Sequence, residues 1–284
     1  MSNPILLADA VLMQTEAMTT EGVTDSRTLA EVIDAELRAR ADPTRAEKEK
    51  AYLKSALTHY GVSVPDTRAV VTDAMRSAEF DHDAVVGLAT ELWSGPVGER
   101  PSAAVRQLRS VPIYERRSAA VMVLIRGKGH LSGADADLIE AFIREAGTWA
   151  LVDPLAGDLA GPLADASGQF DQVLERWAVD EDFWVRRAAL LAHLRPLRVG
   201  AGDFERFSRF ADAMLEEREF FIRKAIGWVL RDTAKKRPGL IFEWLLPRAH
   251  RASGVTVREA LRPLSPDQQT AIRSAHQSGR SSHA

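Results

Sequence analysis

The chain contains no cysteine among its 284 residues, which excludes disulfides, thiolate metal sites, iron–sulfur clusters and a cysteine nucleophile. Aromatic residues make up only 7% of the chain but hydrophobic residues 45%, so a sizeable core can form and helix is favoured over sheet. No apolar run approaches the roughly 18 residues that a membrane span needs, and the short apolar start lacks the features of a signal peptide. We therefore expect a soluble, cytoplasmic protein without a membrane partner.

Metal-binding patterns are also missing from the sequence. The seven histidines are scattered and none has the spacing of a metal site. The net charge of −3 argues weakly against a nucleic-acid partner, but residues 1–27 hold four acids against one arginine, so the remainder is neutral overall. We interpret residues 1–27 as a flexible or loosely docked acidic arm and residues 28–284 as one domain. What matters for DNA binding is whether positive charge gathers on one face.

A helical pattern begins near residue 28. Leu29, Val32, Ile33 and Leu37 follow the spacing of one helix face. Glycine and proline breakers then recur every 10–20 residues or so, which predicts roughly twelve to fourteen helices of about 10–18 residues and no strands. Helix pairs repeated at about 40 residues suggest an all-α solenoid of HEAT-like repeats. A compact helical bundle fits the periodicity equally well, because no sequence repeat is obvious.

The segment from Glu219 to Lys235 is predicted to be a helix with two contrasting faces. At about 100° per residue, one face carries two aromatics and three cations: Phe220, Lys224, Trp228, Arg231 and Lys235. The opposite face carries Ile222, Ile226 and Val229. Residues 223–237 hold six cations against one acid, Asp232. A tryptophan on a cationic face suits either packing under a neighbouring helix or binding of an anion beside a sugar or base.

Five blocks, in order along the chain, resemble those of the AlkD-type DNA alkylation repair family. They are Tyr52-Leu53-Lys54 with Gly61-Val62 and Pro65-x-x-Arg68; Trp149-Ala150-Leu151-Val152-Asp153; Phe183-Trp184-Val185-Arg186-Arg187-Ala188-Ala189; the segment from Phe220 to Arg231; and Arg258-Glu259-Ala260. The resemblance covers about residues 28–275, and the acidic arm has no counterpart in it.

The resemblance implies a right-handed superhelix of HEAT-like repeats that holds double-stranded DNA in a positively charged groove. It implies a catalytic group of Trp149, Asp153 and Trp228. The expected DNA-contacting residues are Arg187, Lys224, Arg231 and Lys235, together with Arg186 and Arg223. The expected activity is that of a monofunctional glycosylase, a monomer without cofactor or metal, that removes cationic alkylated purines in base excision repair without flipping the base.

Two residues in these blocks have simpler local interpretations. Pro154 restricts Asp153 and is favoured at the first position of a helix, so Asp153 is predicted to cap a helix that begins after it. Trp149 and Asp153 need not then lie on one continuous helix, and a capping carboxylate can still keep one oxygen free for catalysis. Trp184, which lies between Phe183 and Val185, is predicted to be core.

The proposed residues suit the chemistry that the resemblance implies. A purine alkylated on a ring nitrogen is a cation and leaves without further protonation, and positive charge then develops on the deoxyribose. A carboxylate and two indole faces can stabilise that charge. Two other functions remain open, namely a non-catalytic DNA-binding relative of the same fold and a protein–protein scaffold, which the neutral charge and the acidic arm would suit.

Overall fold

The computed structural model describes residues 25–76, 79–94, 112–166 and 168–281. Sixteen α-helices lie in these ranges: α1 (Ser26–Ala39), α2 (Pro43–Leu53), α3 (Val64–Ala74), α4 (His82–Ser94), α5 (Tyr114–Arg126), α6 (Ala136–Glu145), α7 (Trp149–Pro154), α8 (Gly161–Ala166), α9 (Gln169–Ala178), α10 (Phe183–Leu191), α11 (Leu194–Arg198), α12 (Phe204–Ala213), α13 (Phe220–Ala234), α14 (Pro238–Leu245), α15 (Gly254–Leu261) and α16 (Pro266–Ser281). An isolated bridge between Thr58 and Ile113 is the only β-type pairing within these ranges. The all-α prediction is confirmed for these ranges. Residues 1–24 of the predicted arm lie outside the described residues.

The chain forms two compact units. Of the described residues, the first unit comprises those up to Lys48 and those between Thr58 and His130, and the second comprises Glu49–Leu57 and those from Leu131 onward, so that α2 contributes residues to both. The single domain over residues 28–284 and the right-handed superhelix stay predictions. None of the described helices combines the length and the apolar character needed to cross a membrane.

The first unit is built on the apolar face that its sequence predicts. Asp25 caps α1 by accepting the backbone N–H of Thr28 at 3.3 Å. Leu29, Ile33 and Leu37 are buried on one side of α1, which packs against α3 and α4. The helical period read from residue 28 is therefore confirmed.

The second unit contains all residues of the predicted site. Its helices are joined by ion pairs between residues 34 to 37 positions apart: Arg144–Asp180, Asp153–Arg187, Asp158–Arg195, Asp171–Arg206, Arg198–Asp232, Asp212–Arg248 and Lys224–Glu259. We call these contacts the inter-repeat ion pairs. Their near-constant spacing indicates a structural repeat of about 35 residues, shorter than the one expected from the breakers.

Helix α13 packs closely against α15, and Gly227 permits the approach. A Cβ atom at this position would lie 2.8 Å from Cβ of Glu259 and 3.1 Å from Cα of Thr256. Only a residue without a side chain fits that gap. The close contact brings the carboxylate of Glu259 beside the cations of α13.

Candidate functional site

Helix α7 carries Trp149 and Asp153, and here the structure corrects the local sequence interpretation. The N-cap is Thr148, whose hydroxyl accepts the backbone N–H of Ala150 at 3.4 Å. Asp153 lies inside the helix, and Pro154 is an interior proline followed directly by the π-helix Leu155–Ala160. Proline lacks an N–H group and crowds the preceding turn, so it interrupts the hydrogen bonding of α7, and the chain continues as the π-helix. The predicted cap at Asp153 is therefore wrong, and Trp149 and Asp153 share one helix, one turn apart.

The carboxylate of Asp153 forms a two-pronged ion pair with Arg187 of α10. Nε of Arg187 donates to Oδ1 of Asp153 at 2.8 Å, and Nη2 donates to Oδ2 at 2.9 Å. The third guanidinium nitrogen donates to the carbonyl oxygen of Phe221 on α13. Only 3% of the Arg187 side chain and 14% of the Asp153 side chain are exposed. One guanidinium therefore ties a nearly buried carboxylate to the two neighbouring helices.

Burial and the guanidinium act in opposite directions on Asp153. Burial raises the pKa of this carboxyl group, and the hydrogen bonds and charge of Arg187 counteract the rise. The guanidinium of Arg187 is bonded to the carboxylate of Asp153 and the carbonyl oxygen of Phe221, and it is almost completely buried. Its contact with DNA stays a prediction.

Trp149 is partly exposed on the helix face that also carries Asp153. The ring of Tyr52 meets its indole edge-on, with ring centroids 6.0 Å apart and planes at 81°. Tyr52 is itself largely exposed although it is a large aromatic residue. The structure thus brings part of the N-terminal sequence block next to a predicted catalytic tryptophan.

Helix α13 has the two faces that the sequence predicts. Ile222, Ile226 and Val229 are fully buried, whereas Trp228 is partly exposed and Phe220 is exposed. The indole Nε1–H of Trp228 donates to Oδ2 of Asp232 at 3.1 Å, and among the described residues no hydrogen bond or ring pairing joins it to Asp153 or Trp149. The two-faced helix is confirmed, and Trp228 lies two turns along α13 from the carbonyl group that Arg187 holds.

The predicted cations of α13 are anchored by two buried acids. Glu259 accepts Nζ of Lys224 at 2.6 Å and also pairs with Arg231. Asp232 accepts Nζ of Lys235 at 2.7 Å. Burial tends to raise the pKa of Glu259, but its cations outweigh burial and lower it. The cations keep part of their surface exposed, so they have further donors for an anion.

Two arginines that sequence reasoning missed join this network. Arg198 at the end of α11 donates to Asp232, and Arg262, which follows α15, pairs with Glu259. Two acids thus hold five partly exposed cations, an excess of positive charge around Trp228: Arg198, Lys224, Arg231, Lys235 and Arg262. Wheel analysis of α13 alone does not identify Arg198 or Arg262, because each lies more than 25 residues from Trp228 in sequence.

The two other predicted DNA-binding arginines are engaged elsewhere. Arg186 forms a two-pronged pair with Glu217, at 3.0 and 2.8 Å. Nε of Arg223 donates to the backbone carbonyl oxygen of the same Glu217 at 2.6 Å. Both side chains therefore brace the connection between α12 and α13, and their contact with DNA stays a prediction.

Trp184 is less buried than its prediction as a core residue implies. Its side chain is only half-buried and lies against Phe183 and Phe221, with ring centroids 4.5 and 4.7 Å away. The guanidinium of Arg187 lies 5.7 Å from the ring of Phe221. An aromatic cluster therefore borders the Asp153–Arg187 pair.

Three solved structures are similar to this chain in fold. A predicted DNA alkylation repair enzyme from Enterococcus faecalis is similar in structure, with a TM-score of 0.61, 21% identity, and coverage of 80% of this chain and 98% of that one. AlkD2 from Streptococcus mutans is similar with a TM-score of 0.52, 16% identity, and coverage of 78% and 99%. The protein smu.31 from Streptococcus mutans UA159 gives a TM-score of 0.52, 16% identity, and coverage of 81% and 100%.

At these identities the structural matches establish a shared fold, and no curated protein matches the chain. The sequence profile of one family, described as DNA alkylation repair enzyme, matches residues 33–264 and thus most of the chain. The profile spans the whole candidate site, from α7 through α10 and α13 to α15. The chain belongs to the DNA alkylation repair enzyme family.

Proposed function

We propose that this chain is a monofunctional DNA glycosylase that hydrolyses the N-glycosidic bond of cationic alkylated purines in duplex DNA. The observation that carries the proposal is the carboxylate of Asp153, nearly buried and oriented by Arg187, one helical turn from the partly exposed indole of Trp149. Trp228 on α13 supplies a second aromatic face, as the family resemblance implies. No metal or cofactor is assigned a role in this reaction.

In the proposed reaction, the base departs before the attacking water has fully bonded to C1′ of the deoxyribose. The glycosidic C–N bond breaks, its electron pair neutralises the cationic purine, and the base departs without a proton donor. Positive charge then develops on the deoxyribose, where the carboxylate of Asp153 and the indole rings stabilise it. Water adds at C1′ and its proton passes to Asp153 and on to solvent.

The ion pair with Arg187 leaves part of the Asp153 carboxylate available for the reaction. A carboxylate has about four lone-pair positions, and Arg187 takes one on each oxygen. The remaining lone pairs can meet water or the sugar, while Arg187 keeps the group in one orientation. We assign Arg187 to positioning the carboxylate, and Lys224, Arg231 and Lys235 to the phosphates of the DNA backbone.

Substrate choice follows from the same charges. A neutral base such as uracil departs as an anion, which a carboxylate repels and for which the proposed residues supply no acid. A cationic base such as N7-methylguanine or N3-methyladenine departs neutral. If the base is not flipped into a pocket, the charge of the lesion matters more than its size.

The test compares matched duplexes that hold one N7-methylguanine or one uracil. After incubation with excess protein, alkali cleaves the abasic sites and the single-turnover rate is measured. We expect release of N7-methylguanine only. Asp153→Asn should slow that release on the order of a hundredfold or more, because a charge is lost from a preorganised site while shape is kept. Efficient uracil release, or unchanged cleavage by Asp153→Asn, would overturn the mechanism.

One observation favours a second function, that of a non-catalytic DNA binder. Both carboxylate oxygens of Asp153 are already bonded to Arg187, and little of the side chain is exposed. A binder would retain the cations around Trp228 and shift the mobility of duplex DNA in a gel, but would release neither base. That pair of results would replace the glycosylase proposal.

A further inference from the structure

Asp232 is a buried carboxylate in direct contact with a proposed catalytic tryptophan. It follows Trp228 by four residues on α13, so the two side chains lie on adjacent turns of one helix. Its Oδ2 atom accepts the indole Nε1–H of Trp228 at 3.1 Å. Asp232 is only 2% exposed, whereas Trp228 is partly exposed. Because the indole is only partly enclosed by its neighbours, this hydrogen bond adds a constraint on its orientation.

Cations from two helices hold Asp232 in place. Nε of Arg198, from α11, donates to the same Oδ2 atom at 2.9 Å, and Nζ of Lys235 donates to Oδ1 at 2.7 Å. Burial favours the neutral acid, but these cations outweigh it and lower the pKa of Asp232. The group that accepts the indole N–H is thus a fixed anion attached to the neighbouring repeat.

We propose that Asp232 is a positioning residue that sets the plane of the Trp228 indole for stabilisation of the sugar cation. The inference rests on the glycosylase function proposed above. A cation is attracted to the face of an indole and not to its edge, so a rotation of the ring removes the interaction. The backbone of α13 fixes where the ring is attached and the hydrogen bond fixes where its N–H edge points, and the two together set the direction of the face.

The same contact links DNA binding to the tryptophan. Arg198 and Lys235 are each about half exposed, and both bond to Asp232. A backbone phosphate bound by either cation would lie next to the group that orients the indole. Phosphate binding and ring orientation therefore depend on one carboxylate.

A second tryptophan in the same unit provides a matched control. Nε1–H of Trp177 donates to Oε2 of Glu140 at 2.7 Å, and Arg144 and Arg176 also pair with Glu140. The chemistry of this contact is the same as that of Trp228 with Asp232, but Trp177 is fully buried in the core. Loss of Glu140 should therefore lower stability without affecting the reaction.

The experiment is a double-mutant cycle on full-length protein. Single-turnover release of N7-methylguanine is measured at saturating protein for wild type, Asp232→Ala, Trp228→Phe and the double variant. We expect Asp232→Ala to slow release by about tenfold to a hundredfold, the effect of misplacing a reacting group by about 1 Å. In the Trp228→Phe background, which lacks the indole N–H, the same change should cost less than about threefold.

Two further variants separate positioning from folding. Asp232→Asn keeps an oxygen that can accept the indole N–H and should recover most of the rate. Glu140→Ala, which removes the acceptor of the Trp177 indole N–H, should lower the midpoint of thermal unfolding and leave the rate unchanged. Equal losses from Asp232→Ala in both backgrounds, or a rate that follows the melting temperature in every variant, would overturn the positioning role.

A spectroscopic readout separates this inference from the proposed function. The indole ¹H–¹⁵N resonance of Trp228, assigned by its absence in Trp228→Phe, should shift in Asp232→Ala and remain near its place in Asp232→Asn. If the wild type releases no base but the resonance behaves in this way, the proposed function fails and the orientation of Trp228 by Asp232 stands. If the resonance does not respond to Asp232→Ala, the inference itself fails.

Discussion

The pair of Asp153 and Arg187 allows a quantitative test of the site. Replacing Arg187 with Met keeps an unbranched side chain of similar length but removes the charge and the donors to both carboxylate oxygens. Because Asp153 is nearly buried, the variant leaves an uncompensated charge in the protein interior. Breaking such a pair typically costs about 3–5 kcal/mol of unfolding free energy. We expect a loss in this range near neutral pH, measured by urea denaturation.

The pH dependence of this loss has a definite sign. Burial already raises the pKa of Asp153, and Arg187 opposes the rise, so the Met variant should raise that pKa further. A carboxyl group with a raised pKa in the folded state destabilises the protein as pH rises, since the folded form binds the proton more tightly. The cost of Arg187→Met should therefore shrink as pH falls. The acid limb of the single-turnover rate profile should move to higher pH.

Two controls keep this prediction specific. Asp153→Asn in the Arg187→Met background removes the orphaned charge and should recover much of the lost stability. Arg206→Met breaks an inter-repeat ion pair with Asp171 that is more exposed and should cost about 1 kcal/mol or less. If Arg187→Met unfolds like the wild type and keeps the same acid limb, the reasoning about a buried, oriented carboxylate is refuted.

Three other features give measurable expectations. Single alanine substitutions of Lys224, Arg231 and Lys235 should each reduce the salt slope of duplex binding by about one unit, measured by fluorescence anisotropy over a salt series. Burial lowers the pKa of His193 to about 4, so the neutral ring stabilises the fold above pH 6.5 and this contribution is lost as pH falls toward 4. The loss at pH 5 should be about 2 kcal/mol in urea unfolding. Gly227→Ala should lower the unfolding free energy by about 1–3 kcal/mol through overpacking of α13 against α15.

Each of these expectations has its own control. Arg209, paired with Glu175 on other helices, is a surface cation whose replacement by alanine should leave the salt slope unchanged. His193→Leu should remove the share of acid destabilisation that His193 contributes, and an unchanged difference between pH 7.5 and pH 5 would contradict the assignment. Alanine at Gly239, where an added Cβ meets nothing within 4 Å, should have far less effect than alanine at Gly227.

The sequence predicts well which residues of a helix are buried. Burial of Ile222, Ile226 and Val229 follows from helical period alone, because one face of a helix must meet the core. The misplaced cap at Asp153 shows where local rules end. Proline is normally excluded from helix interiors, and a helix that continues through Pro154 into a π-helix depends on packing that a sequence window does not contain.

The sequence predicts which residues form the candidate site, but it does not predict which of them contact one another. Wheel analysis places Lys224 and Arg231 on one face, yet their shared partner Glu259 lies on another helix about one repeat away. Likewise the resemblance names Asp153 and Arg187 without implying that they bond to each other. Predicting contacts between neighbouring repeats requires the length of the repeat. That length becomes visible in the near-constant spacing of the ion pairs, which only the structure shows.

The positions of Asp153, Arg187 and Phe221, each 34 residues from the next, set a constraint on insertions and deletions. One residue added within α10 ahead of Arg187 would turn its guanidinium by about 100° away from both partners. The same residue added to a connecting loop could bulge outward at little cost in loop entropy. Variation in chain length around this site should therefore be confined to loops, and a homologue with a helix of altered length here should lose the carboxylate–guanidinium contact even with every functional residue retained.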